Sequence, residues 1–67
     1  MKAYNRARGI CEEFSDHVLY DKTRHSLIVN VDQKYFKIIK KELDRLGYTL
    51  VFTKAFSDSD TITCAFK

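Results

Sequence analysis

Sixty-seven residues carrying a net charge of +3 are enough for one small domain and too few for a fold built around a large enclosed active site. A chain of this length buries only about 60% of the surface its unfolded form exposes, so four tyrosines and five phenylalanines supply much of the available core volume. Proline is absent and the two glycines are Gly9 and Gly47, which leaves no linker and makes 1–67 a single domain.

The segment from Ala3 to Tyr20 is predicted to be an amphipathic helix. At 100° per residue, Ala3, Tyr4, Ala7, Ile10, Cys11, Phe14 and Val18 fall within one arc of about 120°, with polar residues outside it. A rival reading ends this helix near Ser15 and makes His17–Tyr20 a strand that turns through Asp21-Lys22-Thr23-Arg24. Val18 stays on the helical stripe, which favours the longer helix. Ser26 to Val31 is a strand, with Leu27, Val29 and Val31 on one face and Ser26, Ile28 and Asn30 on the other. Ile28 implies that the second face is partly covered.

Asp32 is a natural N-cap, because its carboxylate can accept from free amides of the next turn. The helix it opens runs to about Leu46, and Gly47 suits the left-handed position that closes a helix. Tyr35, Phe36, Ile39, Leu43 and Leu46 form its buried stripe. Tyr48 to Phe56 and Thr61 to Phe66 then read as an antiparallel hairpin around Ser57-Asp58-Ser59-Asp60. The expected fold is α+β in the order α-β-α-β-β, two helices packed on one face of a three-stranded sheet.

Residues that could carry chemistry are few. Cys11, His17, His25 and Cys64 lack the close pairing of a zinc site, and both thiols sit on predicted apolar faces, so they read as core filler. Cys11 and His17 lie about 240° apart on a helix, too far round it for a nucleophile–base pair. Glycine-rich phosphate loops and nucleophile elbows need glycines the chain lacks. Asp58 and Asp60 serve turn formation rather than cation binding. No catalytic residue, cofactor or metal is therefore expected.

The second helix, Asp32 to Gly47, carries five basic and three acidic side chains, two of the net +3. Lys34, Lys37, Lys41 and Arg45 project together with Ile38 among them, an apolar residue inside a basic rim. These five are the sequence-derived candidates for contact with a partner.

The motifs Ala3-Tyr4-Asn5-Arg6-Ala7-Arg8, Ser26-Leu27-Ile28-Val29-Asn30-Val31, Leu43-Asp44-Arg45-Leu46-Gly47-Tyr48-Thr49-Leu50 and Ser57-Asp58-Ser59-Asp60-Thr61-Ile62-Thr63 resemble small proteins encoded by phages and prophages of Gram-positive bacteria. Those proteins often end in tryptophan, whereas this chain ends Cys64-Ala65-Phe66-Lys67. The resemblance implies origin rather than mechanism, although small phage proteins of this kind commonly act by binding a host enzyme, a defence complex or a phage replication component. Small size, the lack of a nucleophile–base pair and a charged second helix carrying Ile38 lead to the expectation of a non-enzymatic protein that inhibits or modulates a larger host or phage protein by contact. The alternative is nucleic-acid binding through the basic helix face. A third reading is a homodimer paired through a sheet edge, with the terminal strand as that edge. The longest apolar run, Leu27-Ile28-Val29, is far below the roughly 20 residues of a membrane span, and no apolar leader follows Met1-Lys2. The expected location is the host cytoplasm, with reduced thiols.

Overall fold

The computed structural model describes residues 3–55 and 57–67. Helix α1 spans Tyr4–Phe14, strand β1 His17–Asp21, β2 Ser26–Asp32, helix α2 Gln33–Arg45, β3 Leu50–Ala55 and β4 Thr61–Phe66. The class is α+β as expected, but the order is α-β-β-α-β-β and the sheet has four strands, not three.

The first helix is the correction. It stops at Phe14, and 17–21 form the strand of the rival reading. Ser15 makes the break: its hydroxyl donates to the Asn30 carbonyl and accepts from the His17 amide at 3.0 Å. Five residues of β1 then pair antiparallel with β2, from His17 opposite Asn30 to Asp21 opposite Ser26. The helical stripe could not separate the two readings, because alternation in the strand also turns Val18 toward the core. Tyr20, which follows Val18 on that face, meets Tyr4 edge to face at 5.0 Å between ring centroids. The turn back to β2 is built on Asp21, whose Oδ1 accepts from the Thr23 amide at 3.0 Å and the Arg24 amide at 3.2 Å.

Helix α2 matches its sequence. Asp32 caps it by accepting from the Lys34 amide at 3.1 Å. At the other end Gly47, with φ +93°, donates to the Asp44 carbonyl at 3.1 Å, and Tyr48 donates to the Leu43 carbonyl at 2.9 Å. These two bonds define a Schellman ending, and Tyr48 packs with Leu43 in the core as such endings favour. Tyr48 therefore belongs to the helix stop, and β3 starts at Leu50. The expected last residue of that strand, Phe56, lies outside the described residues.

The sheet order is β1-β2-β4-β3 with every neighbouring pair antiparallel. Because β2 and β3 are both antiparallel to β4, they run parallel to each other on either side of it. The terminal strand is thus interior, and the edges are β1 and β3. The expectation of an exposed terminal edge fails for that reason. One core joins Ala7 and Cys11 of α1, Leu27, Val29 and Val31 of β2, Ile39 and Leu43 of α2, Tyr48, and Cys64 and Phe66 of β4. Both helices lie on the face those strand residues share. No helix among the described residues is long and apolar enough to cross a membrane.

Candidate interaction surface

The reactive side chains are dispersed or buried. Cys11 and Cys64 are both fully buried free thiols. Burial, then the nearby Glu12 carboxylate, pushes Cys11 up to about 11. Burial, then Cys11, pushes Cys64 up to about 12. Both stay protonated at neutral pH, and the thiolate is the nucleophilic form. The Cys64 thiol is directed at the Val29 carbonyl, 3.6 Å away. His17 and His25 stand exposed in β1 and in the β1–β2 turn, and no three His, Cys, Asp or Glu side chains among the described residues converge as metal ligands would. In the 57–60 turn, Ser59 Oγ accepts from the Thr61 amide at 3.2 Å, and the Asp60 carbonyl accepts from Gln33 at 2.8 Å.

All five sequence-derived candidates, Lys34, Lys37, Ile38, Lys41 and Arg45, lie exposed on α2. Ile38 is 46% exposed. The basic field is partly spent within the helix: Arg45 pairs with Glu42 at 3.5 Å, and the flanking Lys40 pairs with Asp44 at 3.0 Å. Lys34 lies over the Tyr35 ring, 5.1 Å from its centroid. Lys37 and Lys41, one turn apart, have no acidic partner among the described residues.

A second surface emerges only from the strand register. Leu19 lies opposite Ile28, Ile28 opposite Ala65, and Ala65 opposite Phe52. Each strand thus contributes one apolar side chain to a single row that crosses the sheet on the face the helices leave uncovered. A bulge between Leu50 and Phe52 widens the row. A bulge places two residues against one and re-aims a side chain, and here it brings Val51 beside Phe52 on this face. Leu19 is 69% exposed, Val51 53% and Phe52 51%. Three large apolar residues in one patch are more informative than scattered exposed ones.

Polar rows frame this strip. On one side stand His17, Asn30, Thr63 and Lys54, joined in the middle by a 2.8 Å hydrogen bond from Asn30 Nδ2 to Thr63 Oγ1. On the other, Arg24, Ser26 and Lys67 help line an open depression of about 690 Å³, floored by Ile28, Ala65 and Phe52. Arg24 reaches Asp21 at 3.9 Å with its side chain 82% exposed, a loose surface pair. Sequence reasoning saw Ile28 on this face but could not assemble the row, which takes one residue from each of four strands and depends on the bulge.

No family model matches the chain, and neither curated proteins nor solved structures give a significant match.

Proposed function

We propose that the chain is a small non-enzymatic binding protein of phage origin that acts by contact with a larger protein, and that the contact surface is the uncovered sheet face. The apolar row Leu19–Ile28–Ala65–Phe52, with Val51 beside it, carries this reading. A domain this small gains by burying every large apolar side chain it has, so leaving three of them exposed in one strip favours a face kept for a partner. Protonated, buried thiols and dispersed histidines support the non-enzymatic part.

The test is affinity purification from lysate of a Gram-positive host, with nuclease and without, using three forms of the protein. Leu19→Asp with Phe52→Asp removes the apolar row. Lys37→Glu with Lys41→Glu inverts the α2 face. Loss of a nuclease-resistant partner in the first variant, with retention in the second and unchanged far-UV spectra in both, is the expected result. The opposite pattern refutes the sheet-face reading.

Nucleic-acid binding through α2 stands as a second reading because Lys37 and Lys41 have no acidic partner among the described residues. It requires affinity that falls steeply with salt as counterions are released. A flat salt response removes it.

A further inference from the structure

We infer that the occupant of the uncovered sheet face is an amphipathic helix with acidic flanks, contributed by the partner protein. This rests on the reading of that face as the contact surface and adds the class of the bound segment.

The middle of a sheet face has no free backbone amide or carbonyl, since each already serves a neighbouring strand. An extended peptide laid across it would lose water from its own backbone groups and find nothing to replace it. A helix satisfies its backbone internally and brings only side chains to the contact. The same sheet already follows this rule on its other face, where α1 and α2 cover Leu27, Val29, Val31, Cys64 and Phe66. A third helix opposite them completes an α-β-α sandwich.

Dimensions agree. Four strands at about 4.8 Å spacing make a row roughly 14 Å long, which about ten helical residues span at 1.5 Å each. Anchors at i, i+3, i+7 and i+10, at about 1.5 Å rise per residue, would meet Leu19, Ile28, Ala65 and the Val51–Phe52 pair in turn. Charge selects the flanks. Lys54 borders the row on one side, and Arg24 and Lys67 border it on the other. Asp21, a carboxylate in the same area, accepts from the Thr23 and Arg24 amides and pairs with the Arg24 side chain at 3.9 Å, and the three cations outnumber it. A second copy of the chain packed face to face would bring like cations together, which disfavours self-association here. A nucleic-acid strand would suit the cations, but Phe52 is the one aromatic in the row. Base stacking relies on aromatic platforms, and the rest of the strip is aliphatic.

The test is titration of the labelled protein, followed by amide shifts, with a 14-residue Leu/Ala/Glu peptide patterned as an amphipathic helix. Controls are the same peptide with lysine for every glutamate, a scrambled Glu peptide without the stripe, and oligothymidine. Expected are shifts centred on Leu19, Ile28, Val51, Phe52 and Ala65, and at least tenfold tighter binding of the acidic amphipathic peptide than of any control. Arg24→Glu with Lys54→Glu should reverse the preference toward the lysine peptide. Equal affinity for both charge types, stronger binding of oligothymidine, shifts centred on α2, or concentration-dependent dimerisation through this face each overturns the inference. If the peptide fails while lysate capture still depends on Leu19 and Phe52, only the helical occupant is wrong. If capture depends on Lys37 and Lys41 instead, the sheet-face reading falls with it.

Discussion

At the scale of single residues, the two thiols make stability depend on pH in a definite direction. In the unfolded chain a cysteine ionises near 9, whereas in the fold Cys11 is raised to about 11 and Cys64 to about 12, by burial above all. Below pH 9 both states hold the protons and the contribution is complete. Between 9 and the folded values the unfolded chain loses protons that the native state keeps, so stability falls by about 1.4 kcal/mol per pH unit for each thiol. Urea midpoints at pH 8, 9.5 and 10.5 should therefore fall more steeply for the wild type than for Cys11→Ala or Cys64→Ala. Each variant begins less stable because of the cavity it leaves, and parallel pH curves would contradict the linkage. His25 offers a second test at this scale. Its φ of 52° puts a residue with a Cβ in the left-handed region at the end of the β1–β2 turn, at a cost of roughly 1–2 kcal/mol. His25→Gly should raise stability by about 1 kcal/mol, and His25→Val, β-branched and still less suited to that region, should lower it. Equal midpoints for the three proteins would show that the turn tolerates this conformation without strain.

At the scale of elements, the two helices differ in how completely their ends are specified, and that difference decided which of them could be read from sequence. Helix α2 has Asp32 at its start and Gly47-Tyr48 at its stop, all visible as residue types with local meaning. Helix α1 has neither signal. Ala3 caps it without a side-chain bond, its first turn has no acidic residue, and its end depends on Ser15 reaching Asn30, fifteen positions away. A partner that distant leaves no local trace, and Val18 faces the core in helix and strand alike. The hairpin β1–β2 was legible as a turn chemistry, Asp21 to Arg24, but the pairing that selects it over two more helical turns is a long-range energy. The prediction at this scale follows from the unequal caps. Ala3→Asp should stabilise by about 1 kcal/mol by supplying the missing acceptor, and Asp32→Ala should cost about the same by removing one. Chemical denaturation of the two variants against wild type measures both, and a neutral Ala3→Asp would mean that the first turn of α1 is satisfied by other means.

At the scale of the whole molecule, the determining fact is that the last strand in the chain is the second from the edge in the sheet. With β4 counted first, the element order becomes β-α-β-β-α-β, the alternation of the ferredoxin-like layout, a likeness of arrangement that carries no function. This placement also explains why the candidate surface was hidden. The sequence gives the alternation within each strand, but the transverse row exists only once β4 has entered between β2 and β3 and the bulge has set Val51 beside Phe52. Strand β4 bonds on both sides along its length and places Cys64 and Phe66 fully inside the core. Thr49 and Lys67 exchange both backbone hydrogen bonds, at 3.0 and 2.8 Å. Antiparallel alternation then directs the amides of Thr63 and Ala65 at β3 and those of Ile62, Cys64 and Phe66 at β2. On the edge strand the same alternation turns the Thr53 and Ala55 amides, opposite Cys64 and Ile62, out to solvent. Native-state hydrogen exchange should thus separate the interior strand β4 from the edge strand β3. Amides from Ile62 to Phe66 should exchange only through global unfolding, at the slowest rate in the molecule, while Thr53 and Ala55 exchange within the first minutes. Protection in β4 weaker than in the interior of α2 would mean that the terminal strand opens independently, and the continuous apolar row would then be lost each time it did.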